Sequence, residues 1–386
     1  MINIYLNRFL GDLIPVMPLL GLLLLDRGFT LGTISLFFLC LSVTVIVAEI
    51  PAGILADVKN PRLVVIASRF LKLLAFVTVY YAIDIYLLCL AAILWGLSSA
   101  LDSGAIQSYL FQLVRKQGRE NQFEQVYSKT FTASLMGLLF AGLVASQVAV
   151  LGFDTLQFIG IVALVLCFVS SLFFPNFTVV TPAETKSEER LSFKSSFRSL
   201  LQLESTLIVL LCIGIFAGGI KGSLDEYTTL LLVDKELTFS IIGYIVFAFE
   251  VLKTGGAAVA ARFVVSIRSQ ILILGVLGVA FMAAAVGNYI VAIASLVLVI
   301  FIDAILWVHN DSAIQRHVSE GNRATVASMK NFGTEVLAAC IFLTMWLSGE
   351  FWDIKILYMF SGVLLLAVSI FVFFKHGGSN KLIARP

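Results

Sequence analysis

The chain is a succession of apolar segments, most of them 20 residues or longer, separated by short polar stretches. A helix needs about 20 consecutive apolar residues to cross the hydrocarbon core of a bilayer. Inside that core every backbone N–H and C=O must find its partner within the protein. The pattern therefore predicts an all-α membrane protein with twelve spans, over residues 4–25, 31–56, 62–82, 85–112, 126–148, 153–174, 205–233, 238–262, 268–287, 288–311, 325–348 and 353–375. Composition agrees: 60% of the 386 residues are hydrophobic and 13% are charged, against about 45–50% and about 25% in soluble domains. A soluble fold of this length has too little interior for so much apolar side chain. Arg8 and Asp12 interrupt the first apolar run and no small-residue cleavage site follows, so that span is expected to stay.

Basic residues fall on alternate loops. Lys59 and Arg62, Arg115 to Arg119, Lys186 to Arg198, Arg262 and Arg268, Arg316 and Arg323, and Lys375 to Arg385 share one side, whereas the opposite loops hold little beyond Arg27, Lys235 and Lys355. The positive-inside rule puts the first side, with both termini, in the cytoplasm. The expected location is the cytoplasmic (inner) membrane.

Six spans precede the polar, Ser/Thr-rich stretch 175–204 and six follow it. It reads as a cytoplasmic linker, with an amphipathic helix expected from about Leu191 to Leu203. The expected domains are 1–174, a six-helix bundle, and 205–386, a second one. The halves also repeat. Ala105-Ile106-Gln107 recurs as Ala313-Ile314-Gln315, an offset of 208 that sets Asp102 on Asn310 and Phe29-Thr30 on Leu237-Thr238. Two parallel six-helix repeats are a transporter architecture, with the site expected at their interface near the membrane midplane.

Charges inside spans are the candidate functional groups, because each costs roughly 2.5–3.5 kcal/mol at mid-helix unless it meets a partner or a wet cavity. Lys221 and Asp225 are four apart on one helical face, and Glu226 points about 100° away from them. Gly214, Gly218 and Gly222 form a strip suited to close helix contact. Arg8 and Asp12 repeat the i,i+4 spacing in span one, followed by Pro15 and Pro18, which loosen a helix. Glu250 and Lys253 stand three apart in span eight. For each of these pairs a self-compensating bridge that fixes helix register is the alternative to a functional role. Glu226, Asp303 and Glu335 lie in spans seven, ten and eleven. Asp303, Trp307 and Asn310 share one face of span ten and suit a cavity wall for an amphipathic or cationic solute; the alternative has Trp307 against lipid and Asp303 beside Lys221 or another base. Glu226 and Asp303 are candidate proton carriers. Asp102 and Glu49, nearer the cytoplasmic ends, read as gate or packing groups.

Other chemistries lack their residues. The five cysteines lie in apolar segments without metal-ligand spacing and read as reduced, buried thiols. His309 reads as a packed or interfacial group. With no phosphate-cradling loop and no metal-ligand cluster, neither an enzyme, a cofactor, a metal site nor ATP coupling is expected. The net charge of +2 implies no nucleic-acid partner.

Span two ends in Glu49-Ile50-Pro51-Ala52-Gly53-Ile54-Leu55-Ala56-Asp57, followed by Lys59 and Arg62. This resembles the loop signature of the major facilitator superfamily, with Val58 in place of the usual Arg and Asn60-Pro61 in place of the Gly turn. Ser103-Gly104-Ala105 with Gly118-Arg119-Glu120, Asp225-Glu226-Tyr227 and Arg323-Ala324-Thr325-Val326 resemble the same bacterial branch. The resemblance implies a cytoplasmic latch built on Glu49, Gly53, Asp57 and Arg62, with Asp57 meeting the start of span eleven near Arg323. Gly137 and Gly142 remain in span five, but the Gly-Pro antiporter signature does not occur there. The expected function is a secondary active transporter for a small organic solute, working as a monomer in the lipid bilayer by alternating access, as a proton-coupled exporter. The alternatives are an uptake permease or facilitator for a nutrient or siderophore-like solute, and a non-transporting sensor or scaffold.

Overall fold

Hydropathy and helix capping together place the spans. A computed structural model describes residues 1–58, 60–119, 122–148, 151–176, 205–260, 262–318, 323–348 and 353–383. Among them are 12 helices long and apolar enough to cross a membrane: Ile2–Asp26, Leu31–Glu49, Pro61–Tyr81, Ile85–Lys116, Gln125–Gln147, Phe153–Leu172, Ser205–Asp234, Ile241–Ala260, Ile267–Val286, Tyr289–His317, Val326–Ser348 and Ile354–Lys375. They are numbered below as spans one to twelve, and no strand occurs among the described residues. The helix of span two runs on to Val58. The expected amphipathic helix at 191–203 lies outside the described residues.

Local chemistry sets the breaks. Span one is helical over Ile2–Asp12, turns through a 3₁₀ segment at Met17–Leu19 and resumes at Leu20–Asp26. Pro15 and Pro18 lack the N–H that a continuous helix would use. Asn60 caps span three by accepting the Arg62 N–H at 3.0 Å, with Pro61 in the first helical position. Spans nine and ten part where the Gly287 N–H donates to the Ala283 carbonyl at 2.9 Å and Asn288 Oδ1 accepts from the Val291 N–H at 3.1 Å.

The offset of 208 is written into the backbone. After span one, Gly28 N–H donates to the Leu25 carbonyl and Phe29 N–H to that of Leu24; after span seven, Glu236 N–H donates to Val233 and Leu237 N–H to Leu232. Both are helix ends closed by a left-handed residue. Gly28 has φ +85° and Glu236 φ +65°, the one non-glycine residue with positive φ among those described. The repeated triplets also land in equivalent cores: Ala105 and Ile106 pack with Ile4, Val64 and Leu110, while Ala313 and Ile314 pack with Leu210, Leu211 and Val318.

Packing separates two units among the described residues, one within Met1–Val179, Glu226–Val251 and Ala339–Trp352, the other within Val180–Asp225, Leu252–Ala338 and Asp353–Pro386. In the first unit, Gly137 brings span five against span one so closely that a Cβ there would run into the Phe9 carbonyl. The same unit holds the C-terminal part of span seven against span two. Tyr227 OH donates to Ser35 Oγ at 2.7 Å, both buried, and the Phe38 ring stacks on Phe342 of span eleven with centroids 5.4 Å apart. In the second unit, the Tyr358 OH of span twelve donates to the Leu224 carbonyl at 3.0 Å. A Cβ on Gly214 would meet Asn310 Oδ1 at 2.5 Å and Lys330 Cε at 2.7 Å, and one on Gly218 would touch Thr334. Among the described residues, no atom of another helix lies within 4 Å of a Cβ on Gly222, so the close-contact strip ends at Gly218 and Gly219.

Candidate functional site

In the first unit, three spans bring charge together inside an apolar bundle. Span one presents Arg8 and Asp12, span three Arg69 and Lys72, and span four Asp102. Arg8 Nη1 donates to Asp102 Oδ2 at 2.9 Å. Arg69 Nη2 lies 2.9 Å from the other carboxylate oxygen, and Arg69 Nε donates to Asn7 Oδ1 at 3.0 Å. Asn7 is itself held, its amide donating to the Cys167 carbonyl at 2.7 Å and to Ser170 Oγ at 2.8 Å. Lys72 Nζ donates to the Gly11 carbonyl at 2.7 Å and to Asp12 Oδ1 at 3.3 Å, and Ser134 Oγ of span five donates to Asp12 Oδ2.

The i,i+4 spacing of Arg8 and Asp12 suggests a bridge along span one, yet each side chain takes its partner from another span. Arg69 and Lys72, three apart on span three, and Asp102 on span four supply opposite charges across the helix contacts. Asp102 is thus more than an end-of-helix packing group, since it holds two guanidiniums at once.

Beside this network lies a cavity of about 250 Å³ between spans one, four and five. Arg8, Asp102, Ser103, Gln107, Tyr127 and Thr130 give it polar walls, and Ile106 and Phe131 give it apolar ones. Gln107 Nε2 donates to Tyr127 OH at 3.0 Å, which ties spans four and five together along its wall. Arg69 is 4% exposed and stands behind Asp102, whereas Arg8, at 20%, reaches the cavity itself. Such a wall can hold a solute with a charged or polar head and an apolar body. Of the residues that build it, sequence reasoning singled out Arg8 and, as a gate or packing group, Asp102. The signal for Arg69 and Lys72 was present, as two bases within an apolar span.

The second unit carries a separate set. Lys221 Nζ donates to Asp225 Oδ2 at 2.5 Å, the expected pair along span seven. Asp303 is half-buried and within electrostatic reach of Lys221, Asp225, Lys253 and Lys330. Lys330 is 8% exposed and pairs with Asp311, a contact between spans eleven and ten that the spacing did not suggest. The face shared by Asp303, Trp307 and Asn310 is not uniform. Trp307 is 54% exposed, while Asn310 is buried, its amide donating to the Leu210 carbonyl at 3.0 Å and to Gln270 Oε1 at 3.3 Å. Asn310 bridges spans seven and nine as Asp102, its repeat equivalent, bridges spans one and three. Glu226, Glu250 and Glu335 are each half-buried and Lys253 is exposed. His309 is buried with its ring 5.4 Å from Phe263, a packed histidine. Of the five cysteines, Cys167 is buried, Cys340 is exposed and the others lie between.

At the latch motif, Glu49 is half-buried. The surroundings of Gly53 and the side chains of Asp57 and Arg323 lie outside what the structure describes. Arg62 Nη2 donates to the Leu172 carbonyl at 2.7 Å, closing the last turn of span six.

The profile of the Major Facilitator Superfamily matches residues 2–342. No curated protein matches the sequence. Among solved structures, the nucleoside transporter NupG is similar at 14% identity with TM-score 0.76, covering 97% of each chain. A POT family transporter in complex with a thioalcohol-conjugated peptide is similar at 12% identity with TM-score 0.74, covering 97% of this chain and 96% of that one. A bacterial homologue of the human lysosomal transporter Spinster, inward-facing and occupied, follows at 11% identity with TM-score 0.69, covering 97% and 94%. At these identities the likeness is one of fold.

Proposed function

Because the chain belongs to the Major Facilitator Superfamily, we propose that it is a secondary active transporter that exports a small organic solute across the cytoplasmic membrane in exchange for protons. The observation that carries this reading is the cavity walled by Arg8, Asp102, Gln107 and Tyr127 within otherwise apolar spans. Charge held inside a membrane bundle marks a solute or ion pathway, because a merely structural helix avoids its cost. The excess of basic residues on one set of loops supports a cytoplasmic side for both termini and for the Arg8 end of span one.

Alternating access needs a seal that forms and breaks. The Tyr227–Ser35 bond and the Phe38–Phe342 stack, at the ends remote from the basic loops, serve as the closed outer gate. Asp303 and Glu226 are the proposed proton carriers, with Asp303 set among Lys221, Asp225, Lys253 and Lys330 so that gaining or losing a proton alters its attraction to three bases. Glu335 and the Glu250–Lys253 pair belong to the same proposed pathway, and the Gly53–Asp57 latch to the cytoplasmic gate. The working unit is the monomer.

The test is proton movement in proteoliposomes that enclose a pH-sensitive dye, challenged with a panel of organic solutes. Solute-dependent proton flux that disappears in Asp303→Asn and in Glu226→Gln supports coupling at these acids. Full flux in both variants removes them from it, and solute flux without any proton movement refutes proton exchange.

A further inference from the structure

We infer that the cavity between spans one, four and five takes a small organic anion, whose carboxylate is received by Arg8. The inference rests on the transporter reading above and names its substrate class. Three bases, Arg8, Arg69 and Lys72, meet two acids, Asp12 and Asp102, among the described residues of this network. Lys72 and Asp12 neutralise each other, and Asp102 can offset only one of the two guanidiniums that converge on it. One positive charge is left over inside the bundle. An unmatched charge there is costly, and it calls for an anion.

Geometry says which base meets that anion. Arg69 is 4% exposed, is tied to Asn7 as well as to Asp102, and does not line the cavity. Arg8 does line it and commits Nη1 to Asp102, so its planar fork has further N–H donors for a carboxylate on the cavity side. Arg69 keeps Asp102 in place when Arg8 turns toward the solute. The anion's body then lies along Phe131, Ile106 and the Tyr127 ring, and Gln107 and Thr130 offer neutral hydrogen bonds. A cation would have to displace Arg8 from Asp102 while Arg69 still held the same carboxylate. The network therefore selects by sign of charge.

The probes are 2-naphthoate, its neutral isostere 2-naphthamide and the cation 2-naphthylmethylammonium, titrated onto purified protein and read as binding-induced thermal shift. Wild type is expected to prefer the anion to the amide by about tenfold or more, the worth of a charge-assisted hydrogen bond. Arg8→Gln should erase that preference and Arg8→Lys should keep most of it. Asp102→Asn should tighten anion binding, because it leaves two guanidiniums without their carboxylate. Equal binding of acid and amide, preference for the ammonium, no shift with any of the three probes, or weaker anion binding in Asp102→Asn would each overturn the inference. If Asp102→Asn does not fold, the contrast between Arg8→Gln and Arg8→Lys decides alone. Protein-dependent accumulation of the amide or ammonium in proteoliposomes would remove the anion assignment and leave transport standing; absence of any flux would count against transport itself.

Discussion

Removing Asp102 should damage this protein more than removing Arg69, although Arg69 is the more deeply buried of the two. Arg8 and Arg69 each lie 2.9 Å from an oxygen of the same carboxylate. In Asp102→Asn the two guanidiniums, 20% and 4% exposed, face each other without an anion between them. Stripping a buried charge of its partner costs about 3–5 kcal/mol. In Arg69→Met, Asp102 keeps Arg8, the surplus positive charge disappears, and the loss is confined to the hydrogen bond to Asn7 and one arm of the carboxylate contact. Hydrogen bonds to charged groups are worth about 1.5–3 kcal/mol, and relief of like-charge repulsion offsets part of that. The variants should differ by at least about 1.4 kcal/mol, a tenfold change in the unfolding equilibrium. Both would be unfolded in one detergent and followed by tryptophan fluorescence, with added 2-naphthoate raising the midpoint of Asp102→Asn most. If Arg69→Met proves as unstable as Asp102→Asn, the reasoning from surplus charge is refuted.

Three further outcomes follow from the geometry. Glu236→Gly should stabilise the fold by up to about 1 kcal/mol by relieving a left-handed backbone, and Gly28→Ala at the equivalent turn should destabilise it by a similar amount, both read as shifts in melting temperature. Gly137→Val should reduce the yield of monodisperse protein on size exclusion, because overpacking costs about 1–3 kcal/mol and the obstacle is the Phe9 backbone; Gly255→Ala, with open space around it, should express normally. Tyr227→Phe should lose a buried hydrogen bond worth about 1 kcal/mol and raise labelling of a cysteine placed beside Ser35, with Ser35 itself kept, by a membrane-impermeant thiol reagent.

The spans were legible because a bilayer demands long apolar runs, and the loosening of span one because Pro15 and Pro18 lack the N–H of a continuous helix; the caps at Asn60 and Asn288 needed the fold. The internal repeat was legible from two short matches, and the turns at Gly28 and Glu236 carry it into the backbone. Partners were harder to read. The i,i+4 rule found Lys221–Asp225, where the helix supplies both members. It suggested the same for Arg8 and Asp12, but there the nearest opposite charges come from Lys72 and Asp102, 60 and 94 positions away in the chain. Helix periodicity says which residues share a face and leaves open what that face meets. For the same reason Asn310 could be aligned with Asp102 by offset, while its bonds to Leu210 and Gln270 needed the fold.

The proposed path of the solute runs through the cavity at Arg8. Its most direct test is accumulation of radiolabelled 2-naphthoate in proteoliposomes under an imposed proton gradient, for wild type beside Arg8→Gln and Arg8→Lys. Wild type should concentrate the anion against its gradient, Arg8→Gln should do so little, and Arg8→Lys should recover part of it. Equal accumulation by all three would place the pathway elsewhere, and no accumulation by any would refute transport of the anion.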